Sequence, residues 1–268
     1  QHYLECRGER ISLAGNWHYK ATTPMASLPR IPVNNTSSPN QVTVLYNAMI
    51  NPMVGFAIRG TIWYQGCNNE HKGYQYRELL PLMIRDWRHK WGYNFPFYIV
   101  QLANYKQLQT EPGDDEWAEV REAQAMAAQH VENSGLACLI DIGEAGDIHP
   151  RNKQEVGRRL ALLALNRTYG REEACAAPDF SQMRVADGKA TLTFFPVAGS
   201  DMLAENADIK GFTMAGSDHK WHVARAYTVG ENQWMRRVVV ECPEVAHPVA
   251  VRYAWADNPE CNLTTISG

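Results

Sequence analysis

Hydrophobic and polar positions change rhythm twice along this chain. Residues 21–43 carry Pro24, Pro29, Pro32, Asn34, Asn35 and Pro39 and no periodic apolar stripe, which reads as a loop or extended linker. Ahead of it, Ile11–Tyr19 alternates weakly, as an edge strand would. From Leu45 the pattern tightens. Leu45–Pro52 reads as a short helix stopped by Pro52, and Phe56–Tyr64 as a buried strand. Over Tyr76–Trp91 the residues Leu79, Leu80, Met83, Ile84, Trp87 and Trp91 recur at helical spacing, with Pro81 either kinking the helix or marking its start. Phe95–Leu102 reads as a second buried strand leading into the polar Gln101 and Asn104. Glu116–His130 reads as a helix, Gly135–Ile142 as a third strand, and Lys153–Tyr169 as a long helix with Gly170 as its stop. Strands alternating with helices predict an α/β fold, a parallel doubly wound sheet with helices on both faces.

After about residue 172 the texture changes again. Ala190–Phe195, Lys210–Met214, Trp221–Ala226, Arg237–Glu241 and Val249–Trp255 are short alternating runs separated by turn residues, the pattern of an all-β, sandwich-type unit. The predicted organisation is therefore a β/linker segment over 1–44, an α/β core over 45–172 and a β-rich domain over 173–268.

Two segments at predicted strand ends carry the candidate chemistry. The run Thr61-Ile-Trp-Tyr-Gln-Gly-Cys-Asn-Asn69 gathers Gln65, Asn68 and Asn69 around Gly66. In parallel sheets ligands bind at the carboxyl ends of the strands. Amides do no acid–base work there, but they can donate hydrogen bonds to a developing oxyanion or to sugar hydroxyls. A polar turn that merely caps the next helix is the competing reading. Trp63 shares Gln65's face of the strand and could stack on a sugar ring, whereas Trp87 and Trp91 fit the core. The second segment, Asp141-Ile-Gly-Glu-Ala-Gly-Asp-Ile-His149-Pro150, sits between the third strand and the long helix. A His there, oriented by a carboxylate two residues earlier, is a candidate general base, with Asp141 and Glu144 as further carboxylates. His71 follows the amide cluster and could line the same cleft, although a solvated His at a helix start is the blander account. His149, Asp147, Glu144 and His71 are also metal-ligand types, but no HExxH or similar pair is present and no metal site is read.

Composition narrows the partners. A net charge of −3 over 268 residues gives no footprint for nucleic acid or an anionic membrane, and no apolar run is long enough to span a bilayer. The six cysteines form no CxxC pair. Cys138 lies in an apolar stretch and is expected to be a small buried hydrophobe, and a Cys242–Cys261 bridge is open. The chain begins with Gln1 and shows no signal-peptide pattern, which reads as a processed or truncated product.

These segments, taken in order, resemble the sialate O-acetylesterase family of carbohydrate esterases, within the SGNH hydrolases. The matching stretches are Leu45-Tyr-Asn-Ala-Met-Ile-Asn-Pro52, Gly60-Thr-Ile-Trp-Tyr-Gln-Gly66, Ile84-Arg-Asp-Trp-Arg88, Phe95-Pro-Phe-Tyr-Ile-Val-Gln-Leu102, Trp117-Ala-Glu-Val-Arg-Glu-Ala-Gln124, Asp147-Ile-His-Pro-Arg-Asn-Lys-Gln-Glu-Val-Gly-Arg-Arg-Leu160 and Arg252-Tyr-Ala-Trp-Ala-Asp-Asn-Pro259. The resemblance implies hydrolysis of O-acetyl esters on sugars, sialic acids above all, by a Ser nucleophile and a His base. It implies no metal or organic cofactor, and an extracellular or periplasmic location. His149 matches the family's catalytic His. Asn68 falls on the oxyanion-hole Asn of a GxND block, with Gln65 and Gly66 beside it.

The sequence departs from the family pattern twice. The nucleophile block, Gly-Gln-Ser-Asn, is not among these residues, which implies that the Ser sits on a missing N-terminal segment acting as partner. Relatives often carry Glu where this chain has Cys67, so Asp147 becomes the better acid candidate. Cys67 itself is a further candidate nucleophile. A catalytically incomplete carbohydrate-binding chain and an acetyl-xylan-type esterase are the alternatives.

Overall fold

In a computed structural model of the chain, residues 3–6, 9–12, 41–196, 202–230, 232 and 236–266 are described. The chain separates into two compact units, one running to Val54 and one from Gly55 onward. The first holds an antiparallel hairpin of β1 (Tyr3–Cys6) and β2 (Glu9–Ser12), with Tyr3 opposite Ser12. Ile11 and Ser12 belong to β2; the rest of the alternating run to Tyr19 lies outside the described residues. The expected helix at Leu45–Pro52 is a wide π-type turn over Tyr46–Ile50 followed by a 3-10 turn over Asn51–Met53, with Pro52 in that tighter turn.

The second unit begins with a three-stranded parallel sheet in the order β3 (Thr61–Trp63), β4 (Phe97–Val100), β5 (Ser134–Ala137). Its helices are α1 (Gly73–Trp91), α2 (Glu116–His130) and α3 (Lys153–Leu163). The two faces of β4 bury alternate residues against different helices. Phe97 and Ile99 meet Leu80 and Ile84 of α1 and Val120 and Ala123 of α2, whereas Tyr98 and Val100 meet Val156, Leu160 and Leu163 of α3. The α/β class with helices on both faces holds. Ile84, Phe97 and Ile99 are fully buried, each worth roughly 2 kcal/mol relative to exposure.

Three boundaries move. Phe56–Tyr64 is not one buried strand. Only Thr61–Trp63 is extended, Phe56 is 69 % exposed, and Ile62 is 62 % exposed. Gly55 turns the chain at φ 101°, and among the described residues β3 pairs with β4 only, so Ile62 faces outward while Trp63 packs on the core. The third strand ends at Ala137, where the last ladder bond runs from the Gln101 N–H to the Ala137 carbonyl at 2.9 Å. Beyond it, the Ile142 N–H turns back to the Leu139 carbonyl. The long last helix is α-helical only to Leu163 and widens into a π-turn over Ala164–Thr168 before Gly170 at φ 66°. Pro81 lies inside α1, and Gly92 closes that helix in the left-handed region, its N–H on the Arg88 carbonyl.

The C-terminal part is two antiparallel sheets. One has the order β10 (Arg225–Val229), β11 (Arg237–Glu241), β7 (Lys189–Phe195), β6 (Asp179–Ala186); the other has β12 (Ala250–Tyr253), β8 (Phe212–Ala215), β9 (Trp221–Val223). Ala190, Leu192, Val238 and Val240 from the first sheet share one core with Phe212 and Met214 from the second, as expected of a sandwich. Cys67, Cys138, Cys175, Cys242 and Cys261 are free thiols, so Cys242 and Cys261 are not bridged. Cys138, one residue past β5, is exposed and not buried, whereas the next residue, Leu139, is fully buried.

α3 begins with Asn152 accepting the Glu155 N–H at 3.2 Å. Glu155 is gripped by Arg158 and Arg159, which hold its carboxyl down at about 2. A depressed carboxyl stabilises the fold above its unfolded value near 4.5, and that stabilisation is lost as pH falls through about 2. Glu155→Gln is therefore expected to cost about 1 kcal/mol at pH 7. The gap to wild type should close between about pH 4.5 and 2 in urea midpoints measured against pH.

Candidate active site

Both predicted segments lie at the carboxyl ends of the parallel strands. After β3 the chain passes through Gly66 at φ 152° into a 3-10 turn over Cys67–Lys72. A side chain at Gly66 would place Cβ 3.0 Å from Gln124 Nε2 and 3.3 Å from Leu102 and Val120, in a backbone conformation that L-residues avoid. Gly66→Ala is expected to cost about 2 kcal/mol or more in denaturant unfolding.

The amides are wired to one another. Gln65 Nε2 donates to Asn69 Oδ1 at 2.8 Å, Tyr76 OH donates to Gln65 Oε1 at 2.8 Å, and Trp63 Nε1 donates to Tyr76 OH at 3.2 Å. Gln65 thereby fixes Asn69. Asn68, next in the turn, is exposed. Trp63 makes an edge contact with Trp87 and packs on the core while still lining the cleft. Beside this network lies an open cleft of about 550 Å³, lined by Trp63, Gln65, Asn69, Tyr76 and leucines of α1. Burial pushes the Cys67 thiol up, with the nearby Glu70 charge adding to the rise. That shift works against a reactive thiolate.

Beneath the turn, the fully buried Gln124 of α2 donates to the Gln65 carbonyl at 2.9 Å and accepts the Leu102 N–H at 2.9 Å. It ties the ends of β3 and β4 together. Sequence reasoning did not single it out. The signal that could have found it is a polar residue on the apolar stripe Val120–Ala123–Ala127.

After β5 the chain forms the second half. Gly143 passes so close to Asn104 that a Cβ would lie 1.9 Å from the Asn104 carbonyl oxygen, and its N–H donates to Asn104 Oδ1 at 2.6 Å. Glu144 holds Arg151 through its backbone N–H and its guanidinium, closing the loop into a clasp around Asp147–Pro150; those hydrogen bonds draw the Glu144 carboxyl down. Asp147 Oδ1 accepts the backbone N–H of His149 at 2.8 Å, and the His149 Nδ1 stands 4.0 Å from the same oxygen. The imidazole is 84 % exposed.

The two halves share a footing. Ile148, Trp63 and Cys67 pack on the same apolar cluster, and Lys153 at the start of α3 reaches across to the Tyr64 ring, 4.9 Å from its centroid. Other candidates lie elsewhere. His71 is turned to Glu116 of α2. Asp141 is bound by both terminal nitrogens of Arg159. Gln101 is buried, its amide nitrogen 3.5 Å from the Arg121 carbonyl. Among the described residues no group of three His, Cys, Asp or Glu side chains could hold a metal ion, and no helix is long and apolar enough to cross a membrane.

Known proteins share this chain's sequence and fold. The carbohydrate esterase family of sialic acid-specific acetylesterases matches residues 34–166, which include both site segments. The human sialate O-acetylesterase is 30 % identical over 253 residues, covering 85 % of this chain and 47 % of that protein; the mouse enzyme is 30 % identical with 85 % and 45 % coverage. The crystal structure of a carbohydrate acetylesterase from Xanthomonas citri superposes with a TM-score of 0.74 at 39 % identity, over 83 % of this chain and 51 % of that one. The chain thus spans about half the length of the curated relatives it matches. By the family match over residues 34–166, the 30 % identity to the human enzyme and the shared fold of the Xanthomonas citri enzyme, the chain belongs to the sialic acid-specific acetylesterase family of carbohydrate esterases.

Proposed function

We propose that this chain is the base-and-oxyanion portion of a carbohydrate O-acetylesterase of the SGNH type, acting outside the cytoplasm on O-acetyl esters of sialic acids. The observation that carries it is the placement of the Asp147–His149 loop and the Gln65–Asn69 turn at one end of one parallel sheet, footed on one apolar cluster. The attacking Ser comes from a Gly-Gln-Ser-Asn block outside these 268 residues. A segment carrying it could pair along the outer edge of β3, where Ile62 and, on α1, Leu79 and Leu82 are exposed.

In this reaction the Ser oxygen bonds to the acetyl carbonyl carbon while its proton passes to His149. Asn68 donates to the oxyanion, a contribution typically worth about 3 kcal/mol. Collapse breaks the bond to the sugar oxygen, which leaves with the proton from His149. Water, deprotonated by the same imidazole, then bonds to the acetyl carbonyl carbon; collapse breaks the bond to the Ser oxygen, which takes the proton back from His149, and acetate leaves. Asp147 orients the imidazole by closing the 4.0 Å gap once substrate is bound, as catalytic hydrogen bonds commonly tighten only in the complex. Gln65 acts by holding Asn69 and the turn.

Acetate release by the full-length protein from O-acetylated sialic acid and from acetyl xylan tests the substrate class. Preference for the xylan overturns the sialic acid assignment and leaves the machinery. A second reading, a carbohydrate-binding chain without turnover, is favoured by the missing Ser block. Turnover by this chain alone would sink that reading and return Cys67 to consideration, against the upward shift of its thiol.

A further inference from the structure

Lys106 stands between the two halves of the site and belongs to neither. It follows β4 in the left-handed region, φ 71°, an uncommon conformation for a residue with a side chain. Its backbone N–H donates to the Ala145 carbonyl at 3.1 Å, inside the loop that carries His149. Its ammonium bonds Glu70, inside the turn that carries Asn68, and Asp257 Oδ2 at 2.6 Å. Lys106 therefore joins the amide turn by its side chain and the His loop by its backbone.

The C-terminal β unit locks it there. Asn258 Nδ2 donates to the Lys106 carbonyl at 2.7 Å, and Asn258 Oδ1 accepts from Asn104 Nδ2 at 2.8 Å. Asn104 in turn accepts the Gly143 N–H. Asp257 Oδ1 accepts the Trp117 N–H at 3.2 Å, and the Asp257 N–H is held by Gln109. Asp257 and Asn258 are both buried, so these bonds compete little with water. Burial pulls the Lys106 ammonium down, but the hydrogen bonds and charges of Asp257 and Glu70 outweigh it and leave the group raised and charged.

We propose that Lys106, clamped by Asp257 and Asn258, is a positioning residue that sets the Asn68 turn and the His149 loop at their working separation. This rests on the roles given above to His149 and Asn68. It also gives the β unit a part in catalysis, because its 257–258 loop is the fixed point from which both halves are hung.

The test uses the full-length protein and acetate release from an O-acetylated sugar. Lys106→Met keeps the volume and the backbone bond but drops the ammonium. It is expected to lower kcat about 10- to 100-fold with KM within about threefold, as a misplacement near 1 Å does. Lys106→Arg, which can still reach both carboxylates, should stay within about threefold of wild type. In a His149→Ala background, Lys106→Met should add less than about threefold, because groups that act as a unit are not additive. If the unneutralised carboxylates prevent folding, Lys106→Met with Glu70→Gln, and separately Asn258→Ala, keep the test open and should show the same loss in kcat. Folded variants with wild-type kcat, or a loss that multiplies in full on the His149→Ala background, overturn the proposal. An inactive His149→Ala beside an active Lys106→Met fails this inference alone; an active His149→Ala fails the functional reading first.

Discussion

His149→Ala in the full-length protein is expected to lower kcat for acetate release by about 10³-fold, the loss typical of removing a general base from a Ser nucleophile. The fold should not suffer, since the imidazole is 84 % exposed and its loop is held by other groups. Those groups are the Glu144–Arg151 clasp, the Asn104–Gly143 bond and the Asp147 carboxylate on the His149 backbone N–H. An unchanged unfolding midpoint with a collapsed kcat is thus the expected pair of results. Near wild-type turnover would remove His149 as base. Asp147→Asn sharpens the assignment. The Asn side-chain oxygen can still accept the His149 N–H and keep the turn, but the charge that stabilises an imidazolium is gone. A loss of about 10-fold or more in kcat, with the loop intact, marks the carboxylate as the orienting acid. A loss under twofold leaves it a turn-former only.

What could be read from the sequence was what local spacing decides. The stripe over Glu116–His130 matches α2 residue for residue, because a 3.6-residue period on one buried face leaves few alternatives. The runs Ala190–Phe195 and Arg237–Glu241 became inner strands of the sandwich, the first by its period-2 burial and the second as a short β-branched run buried on both faces. The placement of the two candidate segments at strand ends was visible as well, since Gln65–Asn69 and Asp147–His149 are each contiguous. Burial at a sheet edge was not visible. The apolar run from Phe56 looked like a core strand, yet its exposure depends on what lies beside β3. β6 went unread because most of its residues are exposed and the alternation is faint. Asp187-Gly188, both at positive φ between β6 and β7, was the turn signal that could have revealed it. Least visible were the bonds joining residues more than 130 positions apart, such as Arg121 and Lys106 to the 254–258 loop. No periodicity encodes them; the only local trace is Arg121 and Gln124, two polar residues three apart on an otherwise apolar helix face.

Arg121→Met is expected to be the most destabilising of these substitutions, at about 3–5 kcal/mol in denaturant unfolding. Arg121 is 3 % exposed in the middle of α2. Its guanidinium donates to three carbonyls of one loop, those of Ala254, Ala256 and Asp257. Among the described residues no carboxylate oxygen accepts from it, and burial draws it down to about 10, which leaves it charged at neutral pH. A buried cation is costly, and the carbonyl dipoles are what offset it. Met fills similar volume without donors, so the Ala254 and Ala256 carbonyls lose this donor at roughly 1 kcal/mol or more each, while the Asp257 carbonyl keeps the Tyr105 N–H at 3.1 Å. The loop they belong to is the one that presents Asp257 to Lys106 and Asn258 to Asn104. The loss should therefore spread beyond stability. Amide exchange at Ala254–Asn258 is expected to accelerate well before global unfolding, and kcat of the remaining folded protein should fall as in Lys106→Met. Loss of stability with those amides still protected and kcat intact would separate the buried Arg from the site, and make it a packing residue alone.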